Sequence, residues 1–104
     1  MKKPFHPVLD RKGILEALEA NREKINSFGV KKIGLFGSFV SGSPKKRSDL
    51  DFLVVFDQPT FRKYMGLKFF LEDLFQRKVD LVIEEDLKPA LKYVREEAVY
   101  VKGL

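Results

Sequence analysis

A chain of 104 residues fits one domain and leaves little room for a second, so a single domain over 1–104 is expected. It has no Cys and one His, His6, which excludes disulfides, thiolate zinc sites, Cys nucleophiles and a His-built metal cage within the chain. The net charge of +5 favours polyanionic partners such as nucleotides, nucleic acid or an acidic protein, although a mild basic excess is as common in proteins that bind none of these.

Any metal held by this chain needs oxygen ligands, which favours a hard cation such as magnesium. A hydrophobic fraction of 44%, with 10 Phe, is enough for a modest core but not for a large cavity. The charged fraction of 34% is compatible with heat adaptation. The start Met1-Lys2-Lys3-Pro4-Phe5-His6 is basic but lacks a following apolar region. No stretch approaches the roughly 20 apolar residues of a membrane span. The expected location is the cytoplasm, with no membrane partner.

In chain order, the first helix starts at the N-cap Asp10 and ends before Gly29. Ile14, Leu18, Ile25 and Phe28 recur along it at helical spacing. Lys31 to Phe36 reads as a strand ended by Gly37-Ser38, and Phe39 to Ser43 as a short helical turn. Ser43-Pro44-Lys45-Lys46-Arg47-Ser48 is a polar loop. Asp49 to Phe56 reads as a second strand. Thr60 caps a second helix with the apolar stripe Tyr64, Leu67, Leu71, Leu74 and Phe75. Lys78 to Ile83 is a third strand, and Leu87 to Glu96 a third helix with Pro89 near its start. Ala98 to Val101 fits a last short strand or a docked tail. The fold class is α+β, a small mixed β-sheet covered by helices.

The chemistry begins at the second strand. Side chains alternate between the faces of a strand, so Asp49 and Asp51 point the same way, against Leu50, Phe52, Val54 and Phe56. Two carboxylates on one face repel and are costly to bury unless water, a cation or a metal compensates them. An isolated Asp-x-Asp is more often a turn residue followed by a solvated one. Asp80 interrupts the third strand on the face opposite Val79, Leu81 and Ile83. Alone it reads as an exposed edge residue, but beside the second strand it would join the other two. Three carboxylates with two magnesium ions suit phosphoryl-type transfer. Gly37 allows a positive φ and close backbone approach, and the following amides with the Ser38 hydroxyl can bind phosphate oxygens. A lone Gly-Ser is weak evidence, because such dipeptides are everywhere.

The combination is more specific than its parts. Phe36-Gly37-Ser38-Phe39-Val40-Ser41-Gly42, then Arg47-Ser48-Asp49-Leu50-Asp51-Phe52-Leu53-Val54, then Val79-Asp80-Leu81, resembles the DNA polymerase β-like nucleotidyltransferase superfamily over essentially the whole chain. The short length and the helix before the first strand resemble its minimal nucleotidyltransferases, which are often antitoxins of HEPN-domain ribonuclease toxins. Many minimal members carry Ala-Arg-Gly where this chain has Val40-Ser41-Gly42, so a common arginine is absent. Lys45, Lys46 and Arg47 could supply charge in its place, or form a solvated loop.

The resemblance implies that Asp49, Asp51 and Asp80 bind two Mg2+ ions, that Gly37 and Ser38 hold the β- and γ-phosphates of ATP, and that AMP passes to a tyrosine hydroxyl of a cognate HEPN toxin. Asp80 would deprotonate or orient that hydroxyl. Two other readings stay open: an antitoxin that acts by contact alone through Tyr64, Tyr93 and Tyr100, and transfer to RNA. The small core also makes a homodimer or a toxin complex plausible.

Overall fold

The computed structural model describes residues 10–37, 49–86 and 97–101. Ser38, the turn at 39–43 with Ser41, the loop at 43–48 with the basic residues 45–47, the helix at 87–96 with Tyr93, and His6 lie outside these residues. Within them the order is α1 (Arg11–Ala20), α2 (Arg22–Ser27), β1 (Val30–Phe36), β2 (Leu50–Phe56), α3 (Phe61–Phe75), β3 (Val79–Ile83), a 3-10 turn (Glu84–Asp86) and β4 (Val99–Tyr100).

The first helix is two helices, where the sequence reads as one. Asp10 caps it as expected, accepting from the Gly13 amide at 2.8 Å. At Asn21 the side-chain amide donates to the Ala17 carbonyl at 2.8 Å, competing with the helical ladder, and the chain restarts as α2. The apolar period runs through the break, because Ile14, Leu18 and Ile25 are all fully buried. Gly29, at φ 82°, stops α2, and its amide donates to the Asn26 carbonyl at 2.8 Å.

The sheet is mixed, in the order β3-β2-β1-β4. β1 runs antiparallel to β2 and β4, while β2 and β3 are parallel, which requires the crossover that α3 provides. Strand alternation sorts the residues as expected. Ile33, Leu35, Leu50, Phe52, Val54, Val79 and Leu81 form one face, buried against Ile14, Leu18 and Ile25 and the α3 residues Leu67, Leu71 and Phe75. Phe52 and Phe75 stack with ring centroids 6.0 Å apart. β4 settles the tail as a two-residue strand: Tyr100 pairs with Gly34 and covers the space a side chain there would need, since a Cβ at Gly34 would come 2.8 Å from the Tyr100 ring. No described helix is long and apolar enough to cross a membrane.

Helix α3 is fastened at both ends. Thr60 caps it, accepting from the Lys63 amide at 3.2 Å. Gln76 leaves it in the left-handed region at φ 53°, and Glu72 then accepts the Val79 amide at 3.0 Å, tying the end of the helix to the start of β3. In the middle the Tyr64 hydroxyl donates to the Leu81 carbonyl at 2.8 Å, holding the helix to β3 one residue beyond Asp80. Tyr64→Phe removes that bond and strands a part-buried carbonyl. It should lower stability by about 1 kcal/mol, seen as a lower urea midpoint at unchanged slope. An unchanged midpoint would show that the bond does not hold β3.

Candidate active site

Asp51 lies at the crossing of three strands. It is the register partner of Phe36 on β1 and of Asp80 on β3. Parallel neighbours stand about 4.8 Å apart, so the two carboxylates leave the same sheet face side by side. Asp49, two residues earlier, precedes β2 and is exposed, as is Asp80, while Asp51 is partly buried. The expected neighbourhood of β2 and β3 is thus present, and the strand itself begins at Leu50 rather than Asp49.

Gly37 follows Phe36 with φ 80°, a conformation that disfavours any side chain. It also lies directly against Asp51. A Cβ there would collide with the Asp51 carboxylate oxygen and would sit 3.1 Å from its Cγ. The glycine therefore does two things. It turns the chain out of β1, and it lets the backbone lie directly against the carboxylate, which occupies the space a side chain would need. Ser38 is outside the described residues.

Burial out of water, then the charges of Asp80 and Asp49, push the Asp51 carboxyl up from the ordinary 3.8 to about 6. No described cation pairs with it. Among the described residues no three acidic side chains converge closely enough to enclose an ion by themselves. The three aspartates form an open set of hard oxygen donors, which suits a magnesium ion that takes its remaining ligands from substrate phosphates and water. The donor chemistry and the mutual repulsion both fit such an ion.

The tyrosines fall differently. The Tyr64 hydroxyl is engaged by Leu81, and its pKa is raised by burial and then by Asp80. It steadies the strand that carries Asp80, a role the helical stripe alone did not suggest. The signal available was that a Tyr on a core face needs a hydrogen-bond partner. Tyr100 has the Lys32 ammonium 4.2 Å above its ring and its hydroxyl 3.4 Å from Glu84. Both side chains are held within the chain, as ordinary partial core packing.

Residues 14–101 match the nucleotidyltransferase domain family. The chain is similar to the protein adenylyltransferase MntA of Thermococcus cleftensis, 42% identical over 87 residues that cover 81% of this chain and 88% of that protein. A solved structure named as a minimal nucleotidyltransferase superposes with a TM-score of 0.68 at 37% identity, covering 88% of this chain and 95% of the other. A structure of the tri-AMPylated Shewanella oneidensis HEPN toxin in complex with its MNT antitoxin contains a chain matching at TM-score 0.61, over 86% of this chain and 73% of that one. At 20% identity that likeness concerns the fold.

The Asp51 shift has a stability consequence whose sign is fixed. The folded carboxyl keeps its proton to about pH 6, whereas the unfolded one loses it near 3.8. The native state binds more protons between those values, so stability falls as pH rises through that window and stays lowered above it. Asp51→Asn removes the penalty. It should raise stability by about 1 kcal/mol at pH 7.5, the shift being discounted for solvent screening, and by almost nothing at pH 3.5. Urea melts of both proteins at the two pH values test this, and equal or lower stability of the variant at pH 7.5 would refute it.

Proposed function

The chain belongs to the nucleotidyltransferase domain family, and from that membership we propose that it is a metal-dependent protein adenylyltransferase that moves AMP from ATP to a tyrosine hydroxyl of a cognate HEPN toxin. The observation that carries the reading is the Asp51 carboxylate, crowded by Asp80 and Asp49 and lying directly against the Gly37 backbone. The likeness to the protein adenylyltransferase MntA, and to the fold in an AMPylated toxin complex, supports the acceptor class.

Asp49, Asp51 and Asp80 would hold magnesium, two ions in this reading. The metal supplies charge neutralisation for the triphosphate and the departing pyrophosphate. Gly37 and Ser38 would hold the β- and γ-phosphates next to Asp51 through their backbone amides, which a glycine turn lets approach closely. Asp80 lies exposed on the edge strand, where an incoming hydroxyl can reach it. It orients that hydroxyl and accepts its proton. The tyrosine oxygen then forms a bond to the α-phosphorus, the bond to the β-phosphate oxygen breaks, and pyrophosphate leaves with the electron pair. Catalysis is mainly placement and electrostatics, so no His or Cys nucleophile is needed. ATP as donor fits the cytoplasm, and one nucleotidyltransferase unit over 1–104 suffices for the work.

Asp51→Ala and Asp49→Ala should each reduce transfer at least a hundredfold, roughly what loss of a charge-stabilising group costs, while the fold is retained. Removal of magnesium by chelation should abolish transfer and its return should restore it. Co-expression with a cognate HEPN-type toxin, followed by intact mass analysis, should show one or more AMP units on that partner with the wild type and none with Asp51→Ala. Neutralisation that survives in both variants without AMP addition would establish inhibition by contact instead. Label from ATP appearing on tRNA rather than on protein would establish RNA as the acceptor.

A further inference from the structure

The sheet-facing side of α3 is buried, but its opposite side carries an apolar ridge in solvent. Phe61, Met65 and Phe69 follow one another at i, i+4 and i+8, with Phe61 79% and Phe69 59% exposed and Met65 half-buried between them. These are the exposed large hydrophobic residues among those described. Asp73 continues the ridge at i+12, and Arg62 flanks its start. Both are exposed.

The charges on this face run against the helix. Arg62 stands in the first turn, where the dipole favours an acid, and Asp73 near the last, where it favours a base. The helix has no acidic residue in its first turn and no basic one in its last. Lys63 and Glu72 are accounted for within the chain, by the Gln58 carbonyl at 2.9 Å and the Val79 amide at 3.0 Å. Among the described residues, Arg62 and Asp73 serve no comparable contact. They lie 11 residues apart, about 16 Å along the axis.

We propose that this ridge is a homodimer interface, on which α3 of a second copy packs antiparallel about a two-fold axis near Leu67. The face is complementary to itself. Around that axis Met65 of one copy meets Phe69 of the other, twice, and Arg62 meets Asp73, twice. Each charge then also faces the end of the partner's dipole that favours it. An acidic or a basic partner would match only one end of the ridge, whereas a second copy matches both. Such a contact is isologous and closes on itself. The two aspartate sites remain open on the other side of each sheet, so dimerisation and transfer are independent.

A single helix pair is at the small end of specific interfaces, so a dissociation constant of roughly 1–100 µM is expected. Sedimentation velocity of the full chain over a concentration series through that range tests the assignment. The mass should rise from that of the 12.1 kDa chain to twice that value. Phe69→Glu should stay monomeric throughout with an unchanged melting temperature, since Phe69 contributes little to the core. Arg62→Asp and Asp73→Arg should each weaken the dimer about tenfold or more, like charges then facing each other, and the two together should restore it. A monomer across the whole series would overturn the proposal. So would a dimer indifferent to Phe69→Glu, or a double variant no better than the single ones. A monomeric chain whose Phe69→Glu variant loses a different protein partner would assign the ridge to that partner.

Discussion

The carboxylate of Asp51 is held among like charges by a frame that gives it no way out. Its own strand is central, pinned by Phe52 and Val54 in the core and paired on both sides. Phe36 and Gly37 bound it on one side and Asp80 on the other. Moving the carboxylate into water would require a register slip. A one-residue slip in β2 would turn Leu50, Phe52, Val54 and Phe56 away from the helices. The burial of a few aliphatic and aromatic side chains thus keeps one ionisable group in a place it would not choose.

That constraint makes the rest of the molecule intelligible. Helix α3 is needed to connect two parallel strands, and those strands must be parallel neighbours for Asp80 to stand beside Asp51. Tyr64 and Glu72 fix the helix to β3 at the Leu81 carbonyl and the Val79 amide, immediately on either side of Asp80. Gly37 is required because any Cβ would fill the space beside the carboxylate. The cost is stability above pH 6, and it is the kind of cost that a cation arriving with a phosphate ligand removes. Sites that bind charge tend to be built this way, with the compensating partner left out of the apoprotein.

Much of this is legible in the amino-acid sequence, for a definite reason. The alternation of β2 and β3 assigns Asp51 and Asp80 to the face opposite Phe52 and Leu81 without any knowledge of tertiary structure, because the period of a strand is two. The caps at Asp10 and Thr60 and the stop at Gly29 are equally local. What the sequence does not carry is adjacency. Nothing local says that β3 lies beside β2, that Gly37 touches Asp51, or that Tyr64 reaches the Leu81 carbonyl. The break at Asn21 is missed because the apolar period continues through it while one side-chain amide takes the Ala17 carbonyl. The ridge on α3 is missed because Phe61 and Phe69 pass as two more members of a Phe-rich core until the sheet shows which side of the helix is covered.

The proposed cation site can be tested at the Asp51 carboxyl itself, which can be watched directly. Carbon-detected NMR titration of the Asp side chains, with and without magnesium and a non-hydrolysable ATP analogue, would measure it. The Asp51 carboxyl should titrate near pH 6 in the free protein and move well down when metal and nucleotide are present, because a bound cation favours the charged form. An Asp51 that titrates near 3.8 in both conditions would contradict the account at its root.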